Sequence, residues 1–143
     1  MRLTKNFTLA ELCVTTKALG NTPRPKEVEW LWSLAHGILQ PLRDYVGAPV
    51  NVSSGYRSEA VNRYVGGAKT SQHRFGQAAD FVVAGMSPRE VCETIIRLEL
   101  PFDQLIQEHG RWVHVSISKK NRGQVLTATR SKAGKVSYLV GLI

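Results

Sequence analysis

From Arg111 to Ile117 the chain alternates strictly, with Val113, Val115 and Ile117 on one face and Trp112, His114 and Ser116 on the other. A period of two fits a half-buried strand and no helix. Earlier in the chain the period is different. Val28, Leu31, Ala35, Ile38, Leu39 and Leu42 recur at spacings of three and four, one apolar stripe along a helix from about Pro25 to Tyr45. A chain that opens with the helical period and closes with the strand period must lay helices against a sheet, an α+β architecture.

Local signals set the element boundaries. Thr8 with Glu11 forms a capping box, so a short helix is expected there, with Phe7 as the preceding apolar staple. Ala18 to Arg24 reads as a loop. Pro25 suits a first helical turn, whereas Pro41 lies inside the stripe and is expected to kink the helix or split off its last turn. Val50 to Ser54 reads as a strand, Tyr56 to Val65 as a short helix, and Ala78 to Val83 as a second strand. Ser87, Pro88 and Glu90 open another helix, whose stripe of Val91, Ile95 and Leu98, with Ile96 beside it, is expected to pack inward. Asp103 to Glu108, Gln124 to Thr129 and Ser137 to Ile143 complete the strands. Short turns join the last of them, so the sheet is predicted to be largely antiparallel, with the N-terminal helices packed on it. The whole chain, 1–143, is expected to form a single domain.

Apolar residues make up 43% of the chain, enough for a core, which excludes global disorder. No run of about 18 apolar residues is present, which argues against membrane insertion. Met1 to Asn6 leads into a polar segment, so no signal peptide is expected; the protein would be made in the cytoplasm and reach any outside target by another route. The net charge of +8, from 19 basic and 11 acidic residues, favours an anionic partner without choosing one. No helix-turn-helix, zinc-finger or RNA-binding aromatic motif accompanies that charge, so nucleic acid is not the expected partner. Cys13 and Cys92 sit among apolar residues and are expected to be free, buried thiols.

The chemistry concentrates in Ser71-Gln72-His73-Arg74-Phe75-Gly76-Gln77-Ala78-Ala79-Asp80, completed later by Trp112-Val113-His114. Two imidazoles and one carboxylate fill three of the four positions of a zinc centre and leave one open for water, as in catalytic zinc sites. Gly76 lets the chain turn between His73 and Asp80. From spacing alone, these residues fit either a metal site or a set of hydrogen-bonded structural groups. His36 has no neighbour that completes a site.

Taken in order, Ser53-Ser54-Gly55-Tyr56-Arg57-Ser58, Asn62, Gly66-Gly67-Ala68, the Ser71–Asp80 block, Phe102-Asp103-Gln104-Leu105-Ile106-Gln107-Glu108 and Trp112-Val113-His114-Val115-Ser116 resemble the zinc D-Ala-D-Ala carboxypeptidase family, most of all its short phage and prophage branch. The resemblance implies the fold shared with the hedgehog signalling domain and lysostaphin-type peptidases. It implies zinc on His73, Asp80 and His114, and Arg57 in the cleft holding a substrate carbonyl or carboxylate, a task that suits a planar guanidinium. It implies an endolysin-like enzyme acting as a monomer on peptidoglycan peptides; the alternative is an inactive module of the same fold that binds wall peptide or a protein. Ser71 and Gln72 are expected to contact substrate or to brace the metal ligands. Two residues compete for the general base. Some relatives place a Glu three residues before the last ligand, where this chain has Arg111. Others place a His five residues before it, which falls on His109, and the short branch has a Glu that matches Glu108. Neighbours in a strand face opposite ways, so only one of Glu108 and His109 should face the metal, Glu108 being the first candidate. Asp103 is expected to orient a metal-bound His.

Overall fold

A computed structural model describes residues 1–143. Helices α1 (Pro25–Leu34), α2 (Gln40–Val46), α3 (Glu59–Tyr64) and α4 (Pro88–Arg97) accompany six strands, β1 (Val50–Ser54), β2 (Ala78–Val83), β3 (Gln104–Glu108), β4 (Trp112–Ser116), β5 (Gln124–Arg130) and β6 (Val136–Val140). The strands form one sheet in the order β1-β2-β4-β3-β5-β6. Every pairing is antiparallel except β3 with β5, which run parallel. The fold is therefore α+β with a mostly antiparallel sheet. The parallel pair arises because residues 117–123 carry the chain from β4 across the end of β3 instead of closing a hairpin.

The sheet has two unlike faces, and the period-two pattern makes them so. Ala79, Phe81, Val83, Leu105, Val113 and Val115 point into one core with Leu31, Leu34, Ile38, Leu39 and Leu42 of the N-terminal helices. Each of the larger of these side chains taken out of water stabilises the fold by roughly 1.5–3 kcal/mol. The opposite face carries Asp80, His114, Ile106 and Leu126 in one row across β2, β4, β3 and β5. That second face holds the polar chemistry.

The capping boxes fall where the sequence places them. The Glu11 carboxylate accepts from Thr8 N and the Thr8 hydroxyl accepts from Glu11 N; Ser87 and Glu90 reciprocate in the same way at α4. Two expectations need correction and a third is refined. Pro41 takes the first turn of α2, the separate last stretch of the helical run. The helical path runs on through a π turn, Ala35–Leu39, in which Gln40 N donates five residues back to Ala35 O. One widened turn absorbs the N–H that Pro41 lacks and relieves its ring from the preceding carbonyl. Ile96 does not pack inward: it is 40% exposed, and Cys92 and Thr94 fill the buried face beside Val91 and Ile95. The helix expected over Tyr56 to Val65 begins only at Glu59, after Ser58 caps it by accepting from Val61 N.

Both cysteines are free, but only Cys92 is buried and Cys13 is partly exposed; burial pushes the thiols up, Cys13 to about 11 and Cys92 to about 12, so neither is a thiolate near neutral pH. His36 bonds the Leu3 carbonyl and stacks on Trp32, an anchor for the N-terminal segment. No helix is long and apolar enough to cross a membrane.

Candidate metal centre

Asp80 and His114 are direct cross-strand partners in the β2–β4 ladder. Both point to the polar face, so the sheet register alone sets two of the three groups side by side. The third comes from the turn before β2. Residues Gln72–Phe75 form a 3-10 turn that ends at Gly76 in the left-handed region, φ 75°. A Cβ there would lie 2.6 Å from the Glu27 carbonyl oxygen, so only glycine lets the chain reverse this tightly against α1. The reversal swings His73 back over β2.

His73 Nε2 lies 3.2 Å and His114 Nδ1 2.9 Å from the same oxygen, Asp80 Oδ1. The three ligand atoms all fall within 4.8 Å of one another, and the imidazoles meet edge to face at 5.1 Å. Ligands held at zinc distances in a tetrahedron are about 3.3 Å apart, so the donor set is already near the separation an ion needs.

The hydrogen bonding at His73 explains why a cation fits. Its Nδ1 is 2.8 Å from the Gly55 carbonyl, which can only accept, so Nδ1 carries the proton. The residue is buried, and that burial holds its pKa below the usual histidine range, with Asp80 opposing the shift. The ring is then neutral, and the Nε2 lone pair faces a carboxylate oxygen with no proton between them. Two lone pairs at 3.2 Å repel, and a divalent ion is the species that satisfies both. Asp80 supplies the negative charge. Burial works against its ionised form, but the hydrogen bond with His114 leads the interactions that outweigh this and hold its carboxyl below the usual carboxylate range.

Arg57 reaches the same carboxylate from the other side, with Nη2 3.7 Å from Asp80 Oδ2. The β-bulge between Val52 and Ser54 re-aims the end of β1. Beyond it, Arg57 N donates to the His73 carbonyl and Nε donates to Ser54 Oγ, fixing the guanidinium at the rim. The groups line a cleft of about 890 Å³ that also takes in Ser71, Gln72, Glu108 and Trp112. This volume suits a short peptide or another small ligand.

Of the two base candidates, Glu108 lines this cleft and His109 does not. Glu108 ends β3 on the polar face, where burial pushes its carboxyl up. His109 sits in the tight turn to β4 at φ 55° and lines a separate cavity of about 540 Å³ beyond it. Its Nε2 is 3.8 Å from Glu108 Oε2. Ser71 is half-buried at the cleft wall. Gln72 donates its amide to Asp103 Oδ2 and, at 3.3 Å, to the Ile117 carbonyl, which leaves its Oε1 as the atom it can offer the cleft.

Asp103 does not orient a metal-binding histidine; the carbonyl of Gly55 does that for His73. Asp103 is buried and accepts from Arg122 N, Nε and Nη2 and from Gln72. These bonds pin the connection that carries the chain from β4 to β5. The hydrogen bonds from Arg122 hold the Asp103 carboxyl well below the usual range. A carboxylate depressed in this way adds stability above its unfolded pKa and loses it as pH falls. Asp103→Asn is therefore expected to melt earlier than wild type at pH 7. The gap starts to close only below about pH 4, where the unfolded carboxyl titrates, and thermal unfolding followed from pH 7 to pH 3 checks this.

Sequence reasoning missed Gln104, Arg122, Gln124, Leu126 and Tyr138, which line the far half of the cleft. Trp112 was within reach, since it alternates in phase with His114. Gln104 opens β3 beside the other cleft residues of that strand; the rest come from β5, β6 and their connections, and only the parallel β3–β5 pairing brings them there.

A family model described as peptidase M15 matches residues 5–116. The zinc D-Ala-D-Ala carboxypeptidase of Streptomyces albus G is 38% identical over 82 residues. That alignment covers 52% of this chain and 30% of the relative, so the chain spans less than a third of the length of the curated protein it matches.

Proposed function

The chain belongs to the peptidase M15 family, and on that premise we propose that it is a zinc-dependent peptidase that hydrolyses an amide bond in peptidoglycan stem peptides. The observation that carries this reading is the convergence of His73 Nε2 and His114 Nδ1 on Asp80 Oδ1, with His73 locked by the Gly55 carbonyl into the tautomer that offers its lone pair. The family match and the zinc carboxypeptidase relative support it.

His73, Asp80 and His114 would hold the metal. A zinc ion held there would supply a Lewis acid for the scissile carbonyl and would acidify the attacking water. The remaining work falls to the protein's own groups. Glu108 accepts a proton from the attacking water and returns it to the leaving amine nitrogen, so one C–O bond forms as the C–N bond breaks. A carboxylate whose pKa burial has raised is better matched to that task than an exposed one. Arg57 fixes a substrate carbonyl or carboxylate oxygen, with Ser54 and Asp80 holding its guanidinium in place. Ser71 and the free oxygen of Gln72 offer further hydrogen bonds along the peptide. The net charge of +8 suits retention on an anionic wall polymer, the setting of an endolysin-type enzyme.

The test pairs metal analysis of the purified protein with digestion of purified peptidoglycan, read by mass spectrometry. The expected result is about one zinc per chain and new peptide termini at a single type of bond, whose mass names the bond. Zinc retention with no released fragment would point instead to a wall-peptide binding module of the same fold. Absence of stoichiometric metal from protein refolded with zinc would remove the zinc-peptidase reading.

A further inference from the structure

Residues 117–143 lie outside the stretch that matches the family, yet they build one wall of the cleft. The strand register shows how. Trp112 is opposite Glu108, Glu108 is beside Ala128, and Ala128 is opposite Tyr138, so these four residues form one row on the polar face. Between Glu108 and Tyr138 stands only the methyl group of Ala128. Strands are spaced about 4.8 Å apart, which places the Tyr138 Cα two spacings from that of Glu108. A tyrosine side chain spans most of such a gap, and an alanine between them does not block it. Tyr138 lines the same cleft as His73, Asp80, His114 and Glu108, and remains 57% exposed, open to a ligand.

We propose that Tyr138 is a substrate-contacting residue: its phenol O–H donates to an oxygen of the bound peptide on the Glu108 side of the metal ligands, across the cleft from Arg57. This rests on the peptidase reading of the site. The phenol is suited to donate, because burial and then the carboxylates of Glu108 and Asp80 raise its pKa and keep it protonated. A neutral donor adds no charge beside Glu108, whereas a lysine or arginine there would lower the carboxylate's basicity. Arg57 and Tyr138 then grip the peptide from opposite rims, and the reacting amide lies between them. Because the donor comes from the C-terminal hairpin, it belongs to this chain's own extension of the cleft and selects for peptides that present an oxygen at that point.

The experiment compares wild type with Tyr138→Phe, which removes the hydroxyl and keeps the ring. Three readouts are taken on zinc-loaded protein: metal content, calorimetric affinity for a phosphinate analogue of a D-Ala-D-Ala dipeptide, and kcat and KM on a wall peptide. Tyr138→Phe is expected to keep its zinc and its circular dichroism, to bind the analogue roughly 10-fold or more weakly, and to lose a similar factor in kcat/KM, the size of one hydrogen bond to a charged oxygen. Equal analogue affinity in the two proteins overturns the proposal, as does an analogue that fails to bind wild type. Should wild type bind zinc and analogue but hydrolyse no wall peptide, the peptidase reading falls, and the affinity difference still decides the role of Tyr138.

Discussion

Replacing His114 with alanine is expected to empty the metal centre and abolish hydrolysis, while the fold survives. In the proposed centre His114 offers one of three ligand atoms, and its Nδ1 lies 2.9 Å from Asp80 Oδ1, the oxygen that His73 also approaches. Even residues that only orient a zinc ligand change metal affinity by about 10- to 100-fold, so loss of a ligand itself should exceed that. Two remaining groups leave His73 and Asp80 as a pair that cannot define a tetrahedral site. Without the ion, the catalytic contribution of several kcal/mol that a Lewis acid supplies is gone, which corresponds to a drop of about 1,000-fold or more. The core has little at stake. His114 projects from the polar face, and its strand neighbours Val113 and Val115 keep the apolar face intact. Zinc quantified after dialysis, thermal unfolding and peptidoglycan turnover together check this. A His114→Ala protein that retained stoichiometric zinc and wild-type turnover would refute the assigned centre.

The same residue shows how much of the site is legible in the sequence. Strict alternation through Arg111–Ile117 gives both the strand and the face on which His114 lies, because a half-buried strand cannot shift by one residue without turning its whole apolar set to water. Gly76 announces the reversal that carries His73 over β2, and the Ser87 and Glu90 box fixes the start of α4. These signals are local, written within a few residues of the feature they specify. What they omit is pairing. Nothing in Ala78–Val83 or Trp112–Ser116 states that Asp80 will stand opposite His114; the resemblance to known enzymes, not periodicity, brings those ligands together on paper. The crossing from β4 to β5 is hidden for the same reason. A short connection between two strands reads as a hairpin unless something holds it open, and here the buried Asp103 does so by binding Arg122 from three donors. That bond spans sequence positions whose types look ordinary alone. Tyr138 inherits the difficulty, since its place in the cleft depends on the crossing.

Glu108→Gln should lose turnover by about 100- to 10,000-fold, the contribution of a positioned general base, and should keep its zinc. Glutamine preserves the shape and the cross-strand position opposite Trp112 but cannot accept a proton. His109→Ala should stay close to wild type, because His109 faces the cavity beyond the β3–β4 turn and not the metal ligands. The contrast between the two variants is stronger than either result alone, since they are adjacent in sequence and opposite in orientation. The pH profile adds a sign. The base must be ionised, and burial raises the Glu108 pKa, so the acid limb of kcat/KM for wild type lies above the pH at which an ordinary glutamate titrates. Activity falls as pH drops through that limb, and the Gln variant's residual activity should lose it. If His109→Ala were the variant that loses turnover with zinc still bound, the proton would travel through the imidazole, and Glu108 would be left as the group that orients it from 3.8 Å.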